Sequence, residues 1–101
     1  MIYITQLIYI KEGQEQSFQE FESIAIPIIS TYNGKLLLRI RPAPESFIES
    51  GIEKPYEIHL VEFQEQQDFE NFMKDEGRKK FLHLKERSIR SSVMILGSVI
   101  S

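Results

Sequence analysis

QEQSFQEF at Gln14–Phe21 and QEQQDFENF at Gln64–Phe72 are nearly the same phrase, and each stands where a strand-like run gives way to helical spacing. Upstream of the first, Ile2–Ile10 is rich in β-branched and aromatic residues, which favours a strand ended by Gly13. Downstream, Phe18, Phe21, Ile24 or Ala25 and Ile28 recur every three to four residues, as one face of an amphipathic helix does. Pro27 lies inside that pattern, so the helix is expected to bend near Ile26 or restart its last turn there, before Asn33-Gly34 stops it.

The second phrase repeats the joint. Tyr56–Phe63 (YEIHLVEF) reads as a strand, and Phe69, Phe72 and Met73 then mark a helical face. A break at Gly77 precedes a further helical piece with Phe81, Leu82 and Leu84. Lys35–Arg41 forms the second strand and Arg90–Ile100 the last one, while Pro42–Pro55, with its prolines and Gly51, is an exposed connection. The order is β-α-β twice over. The fold class this predicts is α+β, a ferredoxin-like βαββαβ unit with a four-stranded antiparallel sheet and the helices on one face.

Composition sets bounds on the rest. A chain of 101 residues, 42% hydrophobic and 27% charged, fits one globular domain spanning 1–101. A formal charge of −3 offers nothing to nucleic acid or an anionic membrane, and YEIHLVEF lacks the basic-aromatic pattern of an RNA-binding sheet. With no cysteine, disulfides, thiolate metal sites and cysteine nucleophiles are excluded. The apolar opening MIYITQLIYI has no basic n-region or cleavage site and no run is long enough for a membrane span, so the expected location is cytoplasmic.

The strands carry apolar residues on both parities. Ile2, Ile4, Ile8 and Ile10 oppose Tyr3, Leu7 and Tyr9 in the first; Val93, Ile95 and Val99 oppose Met94, Leu96 and Ile100 in the last. Helices on one side cover only one of these faces. The other calls for a partner, and a homodimer through the sheet face is the simplest closure.

Two stretches, IPIISTYNGKLLLRIRP and YEIHLVEF…FENFMKDEGRKKFLHL, together with this order and the two-sided strands, resemble the dimeric α/β-barrel superfamily, in particular small bacterial members related to antibiotic-biosynthesis monooxygenase-like and EthD-like proteins. The resemblance covers nearly the whole chain. It implies a homodimer whose sheets face each other around a central space. It also implies a range of chemistry: cofactor-free quinone-forming monooxygenases, muconolactone isomerases, and haem-binding dismutases and peroxidases. Fold alone does not choose among them.

The candidate site follows from strand alternation. If Ile58 and Leu60 pack on the helices, His59 points with Glu57, Val61 and Phe63 into the space between subunits, as a catalytic base or a ligand-orienting group; the alternative is a structural histidine. Leu36, Leu38 and Ile40 would then leave Arg39 and Arg41 on the face of His59, suited to a carboxylate, enolate or phenolate, or else paired with Glu57 or Glu62. Glu57, Tyr3 and Arg78 complete the substrate-binding set, with Tyr9 as a further wall; Arg78 would close the mouth of the pocket or cap its helix beside Asp75 and Glu76. His83 has no partner at metal-ligand spacing, so no metal and no cofactor is expected. These residues suit a small anionic or enolisable compound, handled either by a cofactor-independent monooxygenase- or isomerase-like enzyme or by a non-catalytic ligand-binding or interaction protein.

Overall fold

The computed structural model describes residues 1–100, which run β1 (Ile2–Ile10), α1 (Glu15–Ile28), β2 (Gly34–Ile40), β3 (Glu57–Phe63), α2 (Gln66–Met73), α3 (Glu76–Lys79), α4 (Leu82–Ser88) and β4 (Ile89–Gly97). The strands form one antiparallel sheet in the order β2-β3-β1-β4, with the helices on one side, as the ferredoxin-like pattern requires. Cα extents of 39 × 35 × 16 Å describe a slab two layers thick. β4 stops at Gly97 rather than continuing to Ile100, because Gly97 pairs with Tyr3, next to the residue at which β1 begins. Among the described residues, no helix is long and apolar enough to cross a membrane.

Both repeated phrases open helices, and both phenylalanine pairs dock on the sheet. Phe18 and Phe21 are buried, while Phe69 and Phe72 pack on a cluster of Ile4, Ile29, Val61 and Phe63. The starts differ in chemistry: α2 has a reciprocal capping box between Glu65 and Asp68, whereas α1 has no side-chain cap. Helix α1 passes through Pro27 and then tightens into a 3-10 turn at Ile29–Tyr32, as expected where proline supplies no N–H to the last turn. Asn33 ends it in the left-handed region, at φ 58°. Gly34 is then required by close approach, since a Cβ there would lie 2.6 Å from Ile29 Cγ2 and from Phe63 Cε1.

Side-chain alternation on β3 runs opposite to expectation. Glu57, His59, Val61 and Phe63 are buried toward the helices, and Ile58, Leu60 and Glu62 lie on the open face. Phe63 and Val61 decide the matter, because the aromatic pair Phe69 and Phe72 offers Phe63 more apolar surface than an open sheet face does. In β2, Leu36 pairs with Val61 but Leu38 pairs with Leu60, so one residue is inserted at Leu37. This bulge reverses the parity after Leu36. Leu38 and Ile40 therefore turn to the open face instead of the helices, and Arg39, opposite His59, turns inward.

Two apolar rows cross the open face from edge to edge. Ile40, Ile58, Leu7 and Val93 pair in one; Leu38, Leu60, Thr5 and Ile95 pair in the other. The edge members Leu38, Ile40, Val93 and Ile95 are each close to half exposed. The connection between β2 and β3 is held at its return end, where the Tyr9 hydroxyl donates to the Glu53 carbonyl at 2.7 Å and Arg90 pairs with the Glu53 carboxylate.

Candidate functional site

The polar residues meet within the single chain, between the sheet and the helices, not between facing sheets. Across the inner face one cross-strand row reads Arg39, His59, Gln6, Met94. Above it, α1 contributes Phe21 and Glu22, α3 contributes Arg78, and α4 contributes Lys85. Together they enclose a cavity of about 100 Å³, walled elsewhere by apolar side chains such as Phe72 and Met73. Since roughly 10–15 Å³ is enough to seat one water, the space is that of a small organic molecule.

Behind His59 lies Glu57, fully buried at 0% exposed. Arg39 Nε donates to one carboxylate oxygen at 2.8 Å and Arg41 Nε to the other at 2.7 Å, while His59 Nε2 contacts the oxygen shared with Arg39. Burial opposes ionisation of Glu57, but the hydrogen bonds from His59, Arg39 and Arg41 outweigh it and hold its pKa at about 2. An ionised carboxylate only accepts, so His59 Nε2 carries the proton. The other nitrogen, Nδ1, is left as a free acceptor in the neutral ring. It sits 4.0 Å from Glu22 Oε2, too far for a hydrogen bond, so neither group consumes the other.

Glu22 is the residue that sequence reasoning missed. It is 6% exposed, and burial raises its pKa, an effect that His59 opposes and the like charge of Glu57 reinforces. The signal was present: positions 18, 21, 22, 25 and 29 make the buried stripe of α1 and its following turn, and Glu22 is a carboxylate in the middle of it. Lys85, also missed, is lowered in pKa by burial and then by Arg78.

The predicted residues divide into groups. His59 and Arg78 line the cavity, while Glu57, Arg39 and Arg41 lie behind His59 as its support. Here Glu57 pairs with both Arg39 and Arg41, so its single negative charge offsets one of their two positive charges. Tyr3 is elsewhere: it is paired with Glu62 on the open face, and its hydroxyl donates to Met1 Sδ at 3.5 Å. Tyr9 is likewise buried under the β2–β3 connection and does not line the cavity. At Arg78 the capping and pocket readings coexist. Its backbone N–H donates to Asp75 Oδ1 at 2.8 Å, and its side chain turns inward over Phe72 and Phe21, with centroid distances of 5.3 and 5.9 Å. Among the described residues, no group of three histidine, aspartate or glutamate side chains is placed to hold a metal ion.

Two buried carboxylates with opposite shifts set the acid behaviour of the fold. Glu57 has a depressed folded pKa, so its contribution is complete above the unfolded value of 4.5 and is lost as pH falls toward about 2. That contribution is about 3 kcal/mol for a shift of this size. Glu22, raised above 4.5, works the other way: stability declines as pH rises through its folded pKa. Urea midpoints are therefore expected to peak in mildly acidic solution and fall steeply below pH 4.5. Glu57→Gln should flatten the acid limb, and Glu22→Gln the neutral one.

Comparison with protein-family models and with curated proteins gives no match. Solved structures do match in fold. A protein of unknown function from Rhodopseudomonas palustris superposes with a TM-score of 0.82 at 11% identity, over 99% of this chain and 82% of that one. An uncharacterised NIPSNAP domain protein from Burkholderia xenovorans gives 0.71 at 9% identity, over 100% and 96%. A dabb family protein with a ferredoxin-like fold from Mesorhizobium loti gives 0.68 at 14% identity, over 99% and 97%. At these identities the likeness is one of architecture: the chain has the ferredoxin-like fold that the last of these proteins is described as having.

Proposed function

We propose that this protein binds a small enolisable compound in the cavity between its sheet and helices and moves a proton on it, as an isomerase-like or cofactor-independent monooxygenase-like enzyme. The observation that carries this reading is the orientation of His59. Its Nε2–H is held on a carboxylate clamped by two arginines, which leaves Nδ1 bare toward the cavity and toward Glu22. A base needs a fixed tautomer and an acceptor facing the substrate. In such a step Nδ1 takes a proton from the carbon beside a carbonyl, forming an enolate, and the Glu22 carboxyl gives its proton to the enolate oxygen. Return of a proton at a different carbon completes an isomerisation. Abstraction alone leaves the electron-rich carbanion from which cofactor-free oxygenation begins.

The test is exchange of α-protons from small aryl ketones and 2-oxo acids in D₂O, followed by NMR. Acceleration over buffer is expected, with a loss of about 10²-fold or more in His59→Gln, whose side-chain amide preserves a donor for Glu57. Binding without exchange would select the non-catalytic ligand-binding reading. Exchange unaffected by His59→Gln would remove His59 from the role.

The open face supports a second proposal, that a second copy of the chain covers it. Two apolar rows spanning all four strands exceed what a soluble monomer ordinarily leaves bare, and a two-fold axis would stack like rows on like. Native mass spectrometry is expected to give a dimer, and Ile58→Asp with Leu60→Glu a folded monomer. A stable monomer of the unaltered chain would overturn the proposal.

A further inference from the structure

Building on the reading of the cavity as a small-molecule pocket, we propose that its Arg78–Lys85 end is an anion subsite taking the carboxylate of a small, flat, apolar acid. Arg39 and Arg41 are spent on Glu57, Arg90 on Glu53 and Lys79 on Glu76. Arg78 is different. It is 7% exposed, it lines the cavity, and among the described residues it has no carboxylate within 4 Å. Of the five N–H donors a guanidinium carries, one is used, by Nη1 on the Met73 carbonyl at 3.3 Å. A buried arginine ordinarily has its charge paired. This one is held between Phe21 and Phe72, which fix its plane and leave its fork unmatched by any acid of the protein.

Neither nearby acid fills that role. Glu22 and Asp75 both act on Arg78 electrostatically, but neither carboxylate forms an ion pair with its guanidinium, and Asp75 accepts from the backbone N–H instead. Lys85 adds a second, half-buried cation to the same cavity from the next helix. Two cations therefore share a small enclosure with one carboxylate, that of Glu22. A planar fork matches a carboxylate through two parallel hydrogen bonds. Most of the remaining lining is aromatic and aliphatic, which suits a flat apolar body and disfavours a compact dianion whose desolvation it could not repay. With the acid's carboxylate at Arg78, the rest of the molecule would lie in the space that His59 and Glu22 also line.

The chain carries its own probes for the test. Of three methionines, Met73 and Met94 line the cavity and Met1 is 64% exposed on the outside. With ¹³C-methyl methionine, benzoate is expected to shift the Met73 and Met94 signals and leave Met1 in place. Benzamide, the same shape without the charge, should bind about tenfold more weakly, the usual margin of a charge-assisted pair. Inorganic phosphate should not move the two signals. Arg78→Met, which keeps the stem and removes the charge, is expected to abolish the preference for benzoate, and Lys85→Met to reduce it. Should Arg78→Met not fold, the benzoate–benzamide comparison on the unaltered chain and in Lys85→Met decides the matter. Equal binding of benzoate and benzamide, or a preference that survives both substitutions, would overturn the subsite while leaving the pocket intact. Failure of every probe to move Met73 and Met94 would overturn the pocket as well.

Discussion

Glu57→Ala is expected to lower the unfolding free energy by about 3 kcal/mol, the low end of the range for removing one partner of a buried ion pair. The substitution strands three donors at once, since Arg39 Nε, Arg41 Nε and His59 Nε2 all converge on this carboxylate. The low end applies because the Arg39 and Arg41 side chains are 30% and 41% exposed and can recover water, whereas His59 cannot. Urea denaturation read by circular dichroism measures the loss. In a double cycle with Arg41→Ala, the double variant should lose less than the sum of the two single losses, because the second substitution removes a donor already orphaned by the first. A loss below about 1 kcal/mol would mean that the clamp contributes no more than an exposed ion pair.

Phe63→Ala is expected to cost about 4 kcal/mol, within the range for emptying a large aromatic site in a core. The ring is 1% exposed and meets Phe69 and Phe72, each at a centroid distance of 5.7 Å. Gly34 lies against the same ring with no side chain to move into the void. A domain of this size is stable by only about 5–15 kcal/mol, so the variant should be largely unfolded in a few molar urea. A cost near 1 kcal/mol would show that the layer of α2 is not anchored through this residue.

The contrast between these two residues explains what could be read from the sequence. Alternation along Glu57–Phe63 was legible, and it grouped Glu57, His59, Val61 and Phe63 correctly on one face. Which face that was could not be read from periodicity, because Ile58 and Leu60 are as apolar as Val61 and Phe63, and either set suits a helix layer. The bulge was hidden for a related reason. Leu36, Leu37 and Leu38 are the same residue type, so a one-residue shift within them leaves the pattern unchanged. Helix order was more secure, since the pairs Phe18/Phe21 and Phe69/Phe72 have a spacing that a strand does not share. Within the site, the arginines and His59 stood out as polar residues on apolar strands. Glu22 did not, because a glutamate on a helix is ordinarily solvated, and its burial depends on the sheet residues opposite it.

The most direct test of the account is the tautomer of His59, read by ¹⁵N NMR of the two histidine rings at neutral pH. His83 is exposed and serves as the reference, and His59→Gln assigns the signals. The clamp on Glu57 predicts the tautomer protonated at Nε2, with Nδ1 bare toward the cavity. A ring protonated at Nδ1 alone, or a mixture of the two tautomers, would contradict the arrangement on which the proposed chemistry depends.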